Sequence, residues 1–293
     1  MRVLLFLLLF IPSLSFSRVD TGADFLKFSA GGRVAAIGGA FVGLADDASC
    51  LHYNPAGLSN IKQRELLVME SEAIMECGYE YLGFAQPLKK GQGIGGAILY
   101  FHAPEMLRTI ENKNKPEGYE VVGTIEYYDL SASFSYGRRI KKDLSLGGTI
   151  KLIRRMISPN KGITGAIDLG LLYQANKDLR LGASLQHFGP KVWGDILPQL
   201  IQAGASYKIQ NLILTGAVSH HLIASSDPEF RVGAEYWYWK DLALRAGYYW
   251  LEGSLEGATM GAGVRVKDYL QIDFSQVPGG LDRPLQGSIL IKF

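Results

Sequence analysis

The sequence predicts an all-β fold, a single antiparallel transmembrane β-barrel of about 14 strands with a short helical N-terminal hatch in its lumen. Three observations predict it. From about residue 64 onward, apolar and polar residues alternate with a period of two, which is typical of strands with one apolar face. The connections alternate between tight polar turns and longer loops. Gly is abundant, at 35 of 293 residues, and mean hydropathy is near zero (+0.07) because the two faces of each strand cancel.

The first 17 residues predict a cleaved secretory signal peptide. Arg2 supplies a positive start, an apolar run extends from Val3 to Ile11, and Ser15 and Ser17 offer the small residues of a cleavage site. The run is too short for a membrane-spanning helix, which needs about 20 residues. We therefore expect an exported protein.

Residues 18–63 lack strand alternation and predict a compact hatch of short helical turns. Asp46 is predicted to cap one helix, because a carboxylate can accept hydrogen bonds from backbone N–H groups at a helix start. Asn54 and Pro55 repeat the pattern, with a capping residue followed by Pro at the first helical position. Gly57 then predicts an early exit from that helix.

Residues 64–293 are predicted to form the barrel, with the fourth strand over 121–137. Every second connection is a polar pair such as Lys142-Asp143, whereas the others are predicted to be longer loops, including 104–118 and 158–162. Outer-membrane barrels have short turns at one end and longer loops at the other. This asymmetry favours a barrel over the alternative, a soluble β-sandwich or propeller.

Aromatic residues and charges extend the barrel prediction. Aromatic residues near the strand ends predict the two girdles of a membrane barrel: Tyr79, Tyr81, Tyr100, Phe101, Tyr127, Tyr128, Trp237 to Trp239 and Tyr248 to Trp250. Charged residues are predicted to face the lumen and to pair across strands and with the hatch: Arg231, Glu235, Arg245, Arg265 and Asp273. The alternative for one of these arginines is the binding of a carboxylate.

The last strand alternates and ends on Phe293. A terminal Phe resembles the signal read by the barrel-assembly machinery of the outer membrane, which is therefore an expected partner. Cys50 and Cys77 are the only cysteines, so a single disulfide is possible, and its formation is left open.

No catalytic motif and no metal site is predicted, and no cofactor is expected. The five His residues do not have metal-ligand spacing, and Asp46 with Asp47 suggests capping more than a metal or acid pair. The net charge of +2, spread along the chain, argues against nucleic acid as a partner. We expect a protein that is not an enzyme.

A block of about 35 residues resembles the opening of the PorV/PorQ family, within the wider FadL-like group of long-chain fatty-acid transporters. The motifs that carry the resemblance are Phe25-Leu26-Lys27-Phe28, Gly32-Arg33, Gly38-Gly39-Ala40-Phe41, Ala45-Asp46-Asp47-Ala48 and Asn54-Pro55-Ala56-Gly57-Leu58. The resemblance implies a hatch folded into a 14-stranded barrel. It also implies a kink in the third strand that opens a lateral gap to the bilayer.

The third strand begins with Gly91, Gly93, Gly95 and Gly96, where bending is sterically cheap. A Gly-rich turn that leads into an ordinary strand is the alternative. The long outer loops of the larger transporters have little counterpart here beyond 104–118, which puts a surface lipid site in doubt.

Two functions are expected from the resemblance. The first is passive passage of hydrophobic, fatty-acid-like molecules across the outer membrane, with membrane lipid and hydrophobic small molecules as partners. The second is an accessory role in type IX protein secretion, with secretion-system proteins as partners. A barrel that only organises the outer membrane is a third possibility.

Overall fold

The computed structural model describes residues 21–72, 76–89, 91–222, 228–250, 257–277 and 285–293. The expected signal peptide, residues 1–17, lies outside this part of the chain. So does the whole of residues 278–284, which the strand pattern predicts as one of the longer loops.

Fourteen strands form a closed antiparallel barrel, in the order β1-β2-β3-β6 and then β7 to β16, which pairs back onto β1. The strands are β1 (Glu65–Glu72), β2 (Gly78–Pro87), β3 (Gln92–His102), β4 (Met106–Glu111), β5 (Tyr119–Ile125), β6 (Tyr127–Arg139), β7 (Leu144–Ile157), β8 (Asn160–Gln174), β9 (Leu179–Phe188), β10 (Leu200–Ile209), β11 (Leu212–His221), β12 (Glu229–Tyr238), β13 (Leu242–Trp250), β14 (Gly257–Val266), β15 (Leu270–Gln276) and β16 (Leu285–Lys292). The predicted all-β barrel is confirmed. The ring is sealed where the two ends of the barrel sequence meet, because Arg64 and Phe293 exchange two backbone hydrogen bonds of 3.1 and 3.0 Å.

The connection between β3 and β6 differs from the prediction. The predicted strand over 121–137 is two strands, and the first of them, β5, pairs with β4 in a separate two-stranded sheet. The loop predicted over 158–162 is also wrong, because β7 and β8 continue until only two residues separate them. The tight polar turns, such as the one at Lys142-Asp143, lie where they were predicted.

The N-terminal segment, residues 21–63, lies inside the barrel and is called the hatch below. It contains two helices, α1 (Gly32–Ala36) and α2 (Cys50–Tyr53), and two 3₁₀ turns, Asp24–Lys27 and Pro55–Asn60. Its apolar side chains pack with inward-facing residues of the wall and form the core: Leu26, Phe41, Leu51 and Leu58 with Tyr81, Leu99 and Leu290. Among the described residues, no helix has the length and apolar character needed to cross a membrane.

The hatch confirms one predicted cap and corrects two other predictions. Asn54 precedes the second 3₁₀ turn, accepts a 3.2 Å hydrogen bond from the Ala56 N–H, and is followed by Pro55 as predicted. Asp46 caps no helix, since its carboxylate is bound by Arg33. Gly57 ends no helix, because the 3₁₀ turn continues to Asn60. A Cβ at Gly57 would lie 2.5 Å from the Ala45 carbonyl oxygen, so close packing explains the glycine.

The outward faces of the strands are apolar, and the inward faces are polar or small. On β8, Ile163, Ile167 and Leu169 are about half exposed or more, whereas Asp168 between them is buried. The aromatic girdles are only partly as predicted. Tyr79 and Tyr81 are 2% exposed and face the hatch, because a strand sends alternate residues inward.

Candidate functional site

Wall glycines allow the hatch backbone to lie directly against the barrel. A Cβ at Gly147 would overlap the Pro55 carbonyl carbon, and one at Gly170 would overlap the Asn54 side-chain oxygen. A Cβ at Gly137 would lie 2.6 Å from the Pro55 carbonyl oxygen. Three neighbouring strands therefore share one area of contact with Asn54 and Pro55.

Two further contact areas follow the same principle. Gly182 and Gly204 leave space for the backbone and side chain of Val42, and Gly233 leaves space for the Ile37 backbone. On the hatch side, Gly38 and Gly39 adopt positive φ angles of 66° and 75° just after α1, which glycine accepts at little cost. The Gly38-Gly39 pair thus turns the chain where it meets the wall.

Asn54 links the hatch to itself and to the wall. Its amide nitrogen donates to the carbonyl oxygens of Val42, at 2.8 Å, and of Leu171 on β8, at 3.0 Å. The side chain is fully buried. Its donors and its oxygen are therefore used in three hydrogen bonds that position the hatch.

A buried charge network joins the other side of the hatch to β12, β13 and β15. Arg33 of the hatch contacts Asp46 at 2.7 Å, Asp47 at 2.6 Å and Glu235 at 2.7 Å. Burial alone would lower the Arg33 pKa, but the carboxylates raise this pKa well above its usual value. Arg33 is therefore a fixed cation, and the hatch is tied to the wall through it.

On the wall, the network continues through three of the predicted lumen charges. Glu235 also accepts from Arg245 at 2.6 Å, and Arg245 reaches Asp273 at 2.8 Å. Of the remaining two, Arg231 pairs with Glu229 at 2.6 Å, whereas Arg265 lies over the Trp237 ring at 4.0 Å. All five charges thus face the lumen side of the wall.

The glycines at the start of β3 contact the hatch. Gly93 lies against the Leu58 carbonyl, and a Cβ at Gly95 would lie 2.6 Å from the Leu51 side chain. Gly91 takes a turn conformation, with φ of 77°, and Gly96 lies on the opposite face beside Ser133. The pairing of β3 with β2 and β6 has no register shift. The start of β3 is thus a Gly-rich turn followed by a strand that is paired without a register shift on both sides.

A register shift occurs instead between β8 and β9, at Ile167 and Leu169. There Asp168 accepts a 2.8 Å bond from the His187 N–H and contacts Lys151 at 2.7 Å. No motif in the sequence marks this buried group. The only sequence signal is that Lys151 and Asp168 both stand at positions that face inward in their strands.

The hatch separates two different ends of the lumen. On the loop side, residues 189–199 fold over the hatch and bury Leu197. The Ile196 carbonyl oxygen accepts a 2.8 Å hydrogen bond from the Gly22 N–H. On the short-turn side, two adjoining cavities of about 410 and 580 Å³ lie below the hatch. Both include Asp46 and Arg265 in their lining.

Neither cysteine forms a disulfide in this structure: Cys50 is buried in the hatch, where burial and nearby carboxylates raise its pKa, and Cys77 is partly exposed. In the part of the chain that the structure describes, no group of three or more His, Cys, Asp or Glu side chains could hold a metal ion.

Sequence comparison matches residues 17–193 to the model of an uncharacterised protein family, UPF0164. Two UPF0164 proteins of Treponema pallidum (strain Nichols) are similar. One is 30% identical over 157 residues and the other 28% over 146 residues, in each case 50% of this chain. The aligned region is only 36% of the length of each relative.

Structure comparison finds similar barrels, among them a monoaromatic hydrocarbon channel and a toluene transporter. The deltaS2 mutant of the TodX monoaromatic hydrocarbon channel superposes with a TM-score of 0.65 at 13% identity, over 89% of this chain and 97% of that one. The Pseudomonas putida toluene transporter TodX gives 0.61 at 12% identity, over 84% and 94%. A Pseudomonas aeruginosa FadL homologue gives 0.58 at 12% identity, over 94% and 99%. At these identities the similarity establishes a FadL-like fold.

Proposed function

The chain belongs to the UPF0164 family and has a FadL-like barrel, and from these premises we propose that it is an outer-membrane protein for the passive passage of hydrophobic, fatty-acid-like molecules. The apolar outer faces of the strands support a place in a bilayer. The similarity to a toluene transporter and to a FadL homologue supports hydrophobic cargo. The predicted signal peptide supports export.

The observation that carries the proposal is a separate hatch inside a closed barrel. The hatch is attached to the wall by backbone contacts at glycines and by hydrogen bonds and ion pairs, and its described contacts are all non-covalent. Such contacts can break and re-form, so passage requires the hatch to shift within a wall that stays closed.

A reversible crosslink tests this requirement. Ser59 of the hatch and Ser145 of β7 bond through their hydroxyl groups at 2.7 Å, close enough for a disulfide after Ser59→Cys and Ser145→Cys. With Cys50→Ser and Cys77→Ser in the background, we expect oxidised protein in liposomes to stop the uptake of a labelled fatty acid and dithiothreitol to restore it. The Ser145→Cys single variant is the control. Equal uptake by the crosslinked and reduced forms would contradict the proposal.

The β4–β5 hairpin favours a second candidate, a PorV/PorQ-like accessory of type IX secretion or surface attachment. The hairpin is a sheet separate from the barrel, and it exposes Leu107, Ile110 and Val121 to 63%, 49% and 48%. Two-stranded sheets are marginal alone and have free edges that can pair with another chain. Pull-down from native membranes, with a variant that lacks residues 104–125 as control, tests it. Recovery of no secretion protein by the full chain would contradict this second function.

A further inference from the structure

The inward-facing cations of the lumen form two groups. Those of the first group each lie within 3.1 Å of a carboxylate oxygen: Arg33, Lys151, Arg155, Arg231, Arg245 and Lys292. Those of the second group, Arg139, Arg180, Lys208 and Arg265, form no ion pair with any described residue, although four different strands bring them to the same end of the lumen.

The second group surrounds the cavity of about 580 Å³ on the short-turn side, which we call the cationic vestibule. Its lining includes seven Lys or Arg side chains and four carboxylates. Three of those carboxylates already have a cation partner, because Asp46 pairs with Arg33, Glu65 with Lys292 and, at 3.9 Å, Asp178 with Lys177. Lys292 and Lys177 belong to the seven cations, so five cations and one carboxylate, Asp268, remain. A concave site with an excess of one charge concentrates counter-ions of the other charge.

Neutral contacts orient two of the unpaired cations. Arg180 donates to the Leu44 carbonyl of the hatch and, at 3.0 Å, to the Gln174 side chain. The Arg265 guanidinium is stacked on Trp237 at 4.0 Å from the ring centre. Each guanidinium has five N–H donors in a plane, so donors remain for a ligand.

Lys208 lies next to Arg180 on the wall. Arg180 pairs in register with Ser206 of β10, and Lys208 is two residues further along the same inward face. Diagonal neighbours of this kind lie about 7–8 Å apart, which suits one anion between two cations. Arg265 lines the same cavity from β14.

We propose that the cationic vestibule binds a single oxyanion group, a carboxylate or a phosphate, between Arg180 and Lys208, with Arg265 as the facing cation. Planar guanidinium groups suit bidentate binding of both oxyanions, and a lysine ammonium adds a point charge. The oxyanion could belong to an amphiphile in passage or to a free phosphate-bearing solute. The proposal does not rest on the proposed passage, because the vestibule is open on the short-turn side without any movement of the hatch.

Trp237 provides a direct readout, since it lies under Arg265. The full chain with Trp193→Phe, Trp239→Phe and Trp250→Phe is purified in neutral detergent and titrated with inorganic phosphate, decanoate and decanol. We expect saturable fluorescence changes with the anions, weaker at high salt, and none with decanol. Arg180→Gln with Lys208→Gln is expected to weaken anion binding about tenfold or more. Lys142→Gln, at the same end of the barrel but outside the lining, is expected to leave it unchanged.

The outcomes distinguish the two possible sources of the oxyanion. If phosphate saturates the signal, the site binds free anions. If only decanoate saturates it, the site binds the head groups of amphiphiles. No saturation by either anion, or titrations that the double variant does not alter, would overturn the proposal. If the double variant does not fold, the exposed Lys208→Gln alone makes the same test. No flux is measured, so failure of passage would not change this result.

Discussion

Glu235 joins the hatch to the wall of the barrel. One carboxylate accepts hydrogen bonds from Arg33 of the hatch and Arg245 of the wall, and it is 1% exposed. Glu235→Gln removes the charge and leaves two guanidinium groups with one fewer partner. Removing one partner of a buried pair costs about 3–5 kcal/mol, so we expect the free energy of unfolding to fall by about 3 kcal/mol.

The measurement is the temperature at which the folded band of the protein is lost in heat-modifiable gel migration. Glu111→Gln is the matched control, because its side chain is 74% exposed and its pair with Lys113 is long, at 3.5 Å. Equal loss temperatures for the two variants would show that the network adds no stability.

His52 of α2 predicts a pH dependence. Burial and the nearby Lys151 ammonium lower its pKa to about 3, from 6.5, so the folded protein keeps the ring neutral while the unfolded chain protonates it. The contribution of the neutral His52 ring to the free energy of unfolding is present above pH 6.5 and is lost as the pH falls from 6.5 towards 3. At pH 4.5, two units below the unfolded pKa, the loss is about 3 kcal/mol.

His52→Gln removes that titration, so its stability should fall less than that of the natural chain between pH 7 and 4.5. Urea unfolding in detergent at both pH values measures the difference. Parallel losses in the two proteins would contradict the assigned role of His52.

At the scale of elements, Gly147 and Gly148 of β7 are neighbours in sequence, but only Gly147 contacts the hatch. A Cβ at Gly147 would overlap Pro55, whereas the contact nearest a Cβ at Gly148 is an ordinary 3.7 Å. We expect Gly147→Ala to lower stability by about 1–3 kcal/mol and to speed proteolysis of the hatch, since overpacking forces the backbone to move. Gly148→Ala should match the natural chain in both measurements. Identical behaviour of the two variants would exclude close packing as the role of Gly147.

The elements also show how far the sequence alone can predict this fold. Strand alternation and the polar turn pairs are local signals, and they placed the fourteen barrel strands. The apolar residues of Tyr119–Ile125 stand mostly at odd positions, whereas those of β6, such as Leu130 and Phe134, stand at even positions. This change of phase is a local signal for the split of the fourth predicted strand, which a period of two by itself does not show. The girdle prediction for Tyr79 and Tyr81 is wrong because it rests on their aromatic character alone. Their odd-numbered positions in β2 face the lumen.

The hatch contacts were harder to predict because they join distant residues. Arg33 and Glu235 are 202 positions apart, and no spacing rule connects them. Asn54 was identified as a cap from its neighbour Pro55, but its bond to Leu171 depends on the closed barrel. The alternation of inward and outward positions predicted which charged residues face the lumen. Which residues they pair with is visible only in the structure.

At the scale of the whole molecule, the backbone and the side chain of Phe293 can be tested separately. Its backbone closes the barrel with Arg64, whereas its aromatic side chain is 60% exposed beside Phe84. We expect Phe293→Ala to keep the stability of refolded protein within about 0.5 kcal/mol, as for other surface changes. If the terminal ring is read by barrel-assembly machinery, the same variant should reach the outer membrane of cells in reduced amount. An unchanged amount in the outer membrane would argue against that partner.

The seam between β1 and β16 also constrains the order of assembly. The hatch precedes β1 directly, and the ring is completed when β16 pairs with β1. Pairing of strands so far apart in sequence has a high contact order and is slow. We therefore expect the hatch to be enclosed while the wall is still an open sheet, with closure of the seam as the final, rate-limiting event of folding.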